Sequence, residues 1–197
     1  MQHANKTRGA GPLGSSGMVG LWGASSLIKS IQRGTISFAG ATSGTATIAA
    51  VVPENTIVRH LWSSQTSNNT NLCVWFGRSE LTNSTTVTAS AYANDGTYVG
   101  SYEVIEYYPG VIKSKQTGTI TLTAASESTD TATITTVDTA KAQLEVTGEF
   151  AGNTSPPTSS DMMRAMLTNS TTVTATRGTT GSAGQTNALY FAVWEMF

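Results

Sequence analysis

The sequence predicts an all-β protein: two tandem antiparallel β-sandwich domains, Ig-like or jelly-roll-like, built by an internal duplication and preceded by an extended Gly-rich N-terminal arm. Two observations carry this. The nonapeptide Leu81-Thr82-Asn83-Ser84-Thr85-Thr86-Val87-Thr88-Ala89 returns unchanged, 86 residues later, as Leu167-Thr168-Asn169-Ser170-Thr171-Thr172-Val173-Thr174-Ala175. A self-similarity of that kind sets the architecture before any local pattern is read. The chain of 197 residues also holds 34 Thr and 22 Ser. Thr suits a pleated, half-buried surface, and Ser suits turns.

The duplication extends beyond the nonapeptide. Ile28-Lys29-Ser30 matches Ile112-Lys113-Ser114, Gly34-Thr35-Ile36 matches Gly118-Thr119-Ile120, and Thr45-Ala46-Thr47-Ile48 matches Thr131-Ala132-Thr133-Ile134. Val104 and Glu106 match Val193 and Glu195. The offset drifts from 84 to 89, as small loop insertions between fixed elements would make it. The organisation is therefore an arm over 1–26, a first repeat over 27–110 and a second over 111–197. Each repeat, at about 85 residues, is long enough to fold around its own core.

Within the first repeat the alternation and turn residues place strands at 35–39, 45–51, 57–63, 72–78, 85–92 and 98–107. Short strands punctuated by turn chemistry at regular spacing are the mark of a sandwich or small barrel. Asn94-Asp95-Gly96 is the strongest hairpin signal. The second repeat places strands at 119–123, 131–136, 142–149, 162–167, 171–176 and 187–197. Ser160-Asp161-Met162 resembles a helix N-terminus, but the 86-residue offset sets Arg164 on Arg78 and Leu167 on Leu81, so the segment reads as a strand. Pro109-Gly110 is the linker, short enough to hold the domains close.

Composition narrows function. A net charge of −1 with 12% charged residues supplies no basic stripe for nucleic acid. No apolar run approaches a membrane span, and no apolar segment follows Met1-Gln2-His3 to make a secretory signal. Cys73 is the single cysteine, which rules out an intrachain disulfide and reads as a small buried hydrophobe. His3 and His60 lack neighbours at metal-ligand spacing, and His60 reads as a surface residue. Glu103 and Glu106, three apart on a strand, point to opposite faces and cannot work as a paired acid and base. No catalytic residue, cofactor site or metal site is expected, and the chain is read as no enzyme.

The matched pieces Ile28-Lys29-Ser30-Ile31-Gln32-Arg33-Gly34-Thr35-Ile36, the Leu-Thr-Asn-Ser-Thr-Thr-Val-Thr-Ala nonapeptide and the closing Tyr102-Glu103-Val104-Ile105-Glu106 resemble a module of tailed-bacteriophage virion proteins. The second copy departs at Lys115 and Thr117, where the first has Ile31 and Arg33. The resemblance implies a β-sandwich carried on the particle exterior after synthesis in the host cytoplasm. It implies a capsid decoration protein or, as the alternative, a tail fibre or other tail appendage with carbohydrate- or receptor-binding domains. The implied partners are other virion proteins, the major capsid protein or tail proteins, together with a homo-oligomer such as a trimer. Host surface carbohydrate belongs to the alternative; nucleic acid and membrane to neither. A tail-fibre shaft would need a long repeated segment such as heptads, and none is present.

Two residue groups are candidates for binding. Met18, Val19, Leu21 and Trp22 form an apolar cluster in an arm with glycines at 9, 11, 14, 17, 20 and 23. They are the candidate attachment residues, because such an arm gains little by folding on itself. Tyr107 and Tyr108 stand beside the linker and form a candidate surface platform, weighed against plain interdomain packing. Most remaining aromatics are expected in the cores.

Overall fold

The structure is a computed structural model that describes residues 27–66, 77–92, 96–123, 126–151, 162–178 and 186–197. The arm, Cys73 and most of the Asn94-Asp95-Gly96 turn lie outside these residues. The first repeat contributes β1 (Ile28–Ala39), β2 (Ser43–Thr47), β3 (Thr56–Thr66), β4 (Gly77–Asn83), β5 (Thr86–Ala91) and β6 (Thr97–Tyr107). The second contributes β7 (Ile112–Leu122), β8 (Thr129–Thr133), β9 (Ala142–Ala151), β10 (Met163–Asn169), β11 (Thr172–Arg177) and β12 (Asn187–Met196). The protein is all-β, and its strand pairs are antiparallel. None of the described helices is long and apolar enough to cross a membrane.

Strand order is the same in both halves. β1-β6-β3 forms one sheet and β10-β11-β8 another, while β2-β5-β4 and β9-β12-β7 join as a single six-stranded sheet. Each first-repeat triplet has its counterpart in the second: β1-β6-β3 corresponds to β7-β12-β9, and β2-β5-β4 to β8-β11-β10. What the sequence does not announce is the join. β4 meets β9 at one registered pair, Arg78 with Gly148, so one sheet runs through both repeats.

The cores explain the nonapeptide. Val87 and Ala89 of β5 are fully buried among Ile36, Tyr98, Tyr102 and Val104, side chains drawn from two different sheets. Val173 and Ala175 do the same among Ile120, Leu189, Phe191 and Val193. Full burial of an apolar side chain stabilises by about 1.5–3 kcal/mol. The Asn is explained as well. Asn83 Oδ1 accepts the Thr85 amide at 2.9 Å, and Asn169 Oδ1 accepts the Thr171 amide at 2.8 Å. These bonds fix turns whose carbonyls at Ser84 and Thr85 accept the amides of Val51 and Ile48. Ser170 and Thr171 accept those of Val137 and Ile134. The repeated letters thus tie each β4–β5 or β10–β11 turn to the segment before β3 or β9.

The matched Lys, Ser and Glu form a second duplicated device. Lys29 Nζ and the Val52 amide donate to Glu106 Oε1 at 2.8 and 3.0 Å, and Ser30 Oγ donates to Oε2 at 3.2 Å. In the second repeat Lys113 Nζ and the Asp138 amide reach Glu195 Oε1 at 2.8 and 3.1 Å. Both carboxylates are almost fully buried, 2% and 1% exposed. Burial pushes the Glu106 carboxyl up, but its Lys29, Val52 and Ser30 donors together outweigh burial and hold it below the usual range. For Glu195 the Lys113 and Asp138 donors dominate, with the same outcome.

Several boundaries move. β1 and β7 begin seven residues before the strands expected at 35 and 119. Their early core-facing positions are polar or glycine, so no apolar alternation marks them. Gln32 bonds both backbone groups of Ala49, and Gln116 bonds those of Thr135. Gly34 and Gly118 leave room for the Tyr102 and Phe191 rings, which a Cβ would strike. Of the segment that resembled a helix start, residues 160 and 161 lie outside the described residues, and the residues after it form the strand Met163–Asn169. At the linker, Gly110 has φ +85° after Pro109, and Val111 N donates to Tyr108 O at 3.3 Å, a tight turn that needs glycine at its third position.

Candidate functional site

The repeats differ where they touch, and among the described residues that junction gathers several polar side chains the repeats do not share. Registers fix which positions correspond. Arg59 pairs with Glu103 across β3–β6, and Glu145 with Ala192 across β9–β12, so Arg59 corresponds to Glu145 and Glu103 to Ala192. Arg59 Nε and Glu145 Oε1 are 3.2 Å apart. Like positions therefore meet with opposite charges; identical copies would have set two arginines or two glutamates together. Glu103 also receives Arg33 at 2.6 Å and lies 3.8 Å from Arg59. Burial raises the Glu145 carboxyl, with Arg59 acting against it.

Lys115 stands where the first repeat has Ile31. Its Nζ donates across the junction to the carbonyls of Pro53 and Thr56 at 2.6 and 2.8 Å. Burial lowers its pKa. Ile57, Ile112, Ala192 and Trp194 close the apolar part of the contact, with Tyr107 packed against them. Tyr107 therefore serves interdomain packing. Tyr108 is exposed, with its amide donated to Leu27 O at 3.0 Å. The two rings do not share a platform.

Beside this contact lies a cleft of about 370 Å³ between the start of β3, β4 and the outer face of β7-β12-β9. The Arg78 guanidinium lies 4.2 Å from the centroid of the Tyr190 ring and 3.0 Å from Glu80 Oε1. Thr117, Thr119 and Thr147 line the opposite walls. A volume in the small-ligand range, ion-paired donors and acceptors, and a hydroxyl-rich wall suit a neutral polyol. Ser79 at the cleft wall is 1% exposed, and its Oγ lies 2.9 Å from His60 Nδ1. Among the described residues no group of three or more His, Cys, Asp or Glu side chains is placed to hold a metal.

A smaller hollow of about 190 Å³ lies on the same seam. It is lined by His60, Trp62 and Ser63 from β3, by their counterparts Val146, Gly148 and Glu149 from β9, and by Gly77 and Met162. One expectation is corrected here. His60 is not a surface histidine: its ring faces inward, Nδ1 lies 2.9 Å from Ser79 Oγ, and burial lowers its pKa to about 4. Trp62 is not in a core: it is 69% exposed. A bulge at Leu61 separates the two residues, since His60 pairs with Tyr102 and Trp62 with Ser101. That extra residue turns the next side chain to the other face. Trp62 has φ +144°, a conformation that costs a non-glycine residue about 1–3 kcal/mol.

Sequence reasoning singled out Tyr107 and Tyr108 but passed over Arg59, Arg78, Trp62 and Glu145. A signal existed: these residues lie at or beside positions where the aligned copies disagree, and disagreement marks the junction. No family model, curated protein or solved structure matches the chain.

Proposed function

We propose that the chain is a non-enzymatic structural protein of a bacteriophage particle, a capsid decoration protein made of two duplicated β-sandwich modules and attached through residues 1–26. The observation that supports this is where the charged side chains go. Lys29, Arg33, Arg59, Lys113 and Lys115, with Glu103, Glu106, Glu145 and Glu195, are engaged in holding strands or the two repeats together. Chemistry invested in a rigid scaffold suits a protein whose work is to bind other subunits, here other virion proteins on the particle exterior. Deleting residues 1–26 is expected to leave the melting transition in place and abolish co-sedimentation with particles. Normal co-sedimentation would move attachment onto the β-modules.

The second reading, a tail appendage that binds host carbohydrate, is favoured by the Arg78–Glu80 cleft with its threonine wall. Glycan-array binding by the intact chain, lost in Arg78→Ala, would select it; an empty array would remove it.

A further inference from the structure

The junction is closed on one side and open on the other. On the closed side β4 approaches β9 so tightly at Arg78 and Gly148 that a Cβ on Gly148 would collide with Arg78 Cβ and come within 2.7 Å of Gly77 O. The counterpart of Gly148 is Trp62. Among the described residues nothing pairs with the outer edge of β3, nor with the outer edge of β10, the counterpart of β4. The open side carries an indole where the closed side has glycine, and the apolar hollow of about 190 Å³ stands beside it.

Three features mark this hollow as a receptor for a side chain. Trp62 is the only non-glycine residue with positive φ among the described residues, so the fold holds an exposed indole in an unfavourable backbone state. Leu61, Val146 and Met162 beside it are also exposed, Met162 by 54%. The volume is below the range of small-molecule sites but suits one large apolar group. An unpaired edge strand can add an extended segment by main-chain hydrogen bonds while alternate side chains fill pockets.

The chain itself carries a segment of that description. Met18, Val19, Leu21 and Trp22 lie in a stretch from Gly9 to Ile28 that has no charged residue. Leu21 and Trp22 cannot reach the hollow of their own chain. Trp62 stands level with Thr35, since both register with Ser101, and Thr35 is eight residues along β1 from Leu27. With a rise of about 3.3 Å per residue and about 4.8 Å between strands, the hollow lies roughly 28 Å from Leu27. Trp22 is five residues before Leu27 and extends at most about 18 Å from it. A neighbouring copy's arm has no such limit.

We propose that the hollow at Trp62 receives Leu21 and Trp22 of a second copy's N-terminal arm, laid along the free edge of β3. This rests on the reading of residues 1–26 as the attachment element and names a site for it on the chain itself. The test is sedimentation equilibrium of the full chain beside two full-length variants, Trp62→Gly, which suits the local φ, and the double variant Leu21→Ser/Trp22→Ser. The wild type is expected to self-associate, and each variant to associate at least tenfold more weakly with an unchanged melting transition. A monomeric wild type overturns the proposal. So does association that survives in the arm variant, and loss confined to Trp62→Gly would then mean direct face-to-face contact between hollows. Should one variant fail to fold, the other decides alone. Particle co-sedimentation separates the two readings. Association retained with particle binding lost in the arm variant removes this inference and keeps the attachment reading; the reverse pattern does the opposite.

Discussion

The two repeats hold the same scaffold with the same bonds, yet their edges are not interchangeable. Inside, Lys29–Glu106 and Lys113–Glu195 are the same device made twice, and Tyr102 over Gly34 is matched by Phe191 over Gly118. At the seam four corresponding pairs have diverged, Arg59 against Glu145, Glu103 against Ala192, Ile31 against Lys115 and Trp62 against Gly148, while Ile112 keeps the residue of Ile28. The lesson is that the turn asparagine, the core Val and Ala of the nonapeptide and the Lys–Glu pair are kept in both repeats, while charged and aromatic positions at the seam are not.

Core changes should show the sameness at the largest scale. Tyr102→Ala and Phe191→Ala should each cost about 3–5 kcal/mol in urea unfolding, because each empties the same ring site. A large cost in one repeat and a small one in the other would break the equivalence. Next come the buried carboxylates. Glu106→Gln and Glu195→Gln should destabilise to similar extents, since each leaves a lysine and a backbone amide facing a neutral acceptor. Both carboxyls are held below their usual range when folded, so the unfolded chain binds the extra proton first as pH falls. Their contribution is present above the unfolded value near 4.5 and is lost as pH drops through the lower folded values. In each Gln variant the acid-side loss of stability should be shallower.

Divergence is probed by smaller effects. A double-mutant cycle on Arg59→Ala and Glu145→Ala should give a coupling of about 0.5–1 kcal/mol, because Arg59 is half exposed and the pair is only partly shielded from water. A cycle that sums to zero would mean the opposite charges do no structural work. Smallest is His60. Its folded pKa of about 4 lies below the ordinary imidazole value of 6.5, so the unfolded chain takes up a proton that the fold resists. Stability should be full above pH 6.5 and decline toward pH 4, and His60→Gln should flatten that decline.

The sequence made the all-β class and the matched strand sets legible, because the repeated letters are the ones that bind the scaffold: Val87 and Ala89 in the core, Asn83 in the turn, Glu106 under Lys29. It hid the first halves of β1 and β7, where Ser30, Gln32 and Gly34 face inward through hydrogen bonds and empty space instead of apolar contact. It also hid the faces of His60 and Trp62. Strict alternation puts both on one side, and the Leu61 bulge separates them. The β4–β9 join was invisible because an edge strand carries no local mark of the strand that will pair with it. Tyr107 and Tyr108 drew attention as neighbours, yet one is in the junction and the other in water.

The reciprocal exchange of Trp62 and Gly148 tests the central claim, that one scaffold was made asymmetric at its seam. Measured by urea unfolding of the full chain, Gly148→Trp should cost more than about 3 kcal/mol, because an indole there would drive β4 from β9. Trp62→Gly should leave stability within about 1 kcal/mol of wild type or raise it, as relief of the φ strain offsets the entropy of glycine. Equal losses from both exchanges, or a larger loss from Trp62→Gly, would contradict the account.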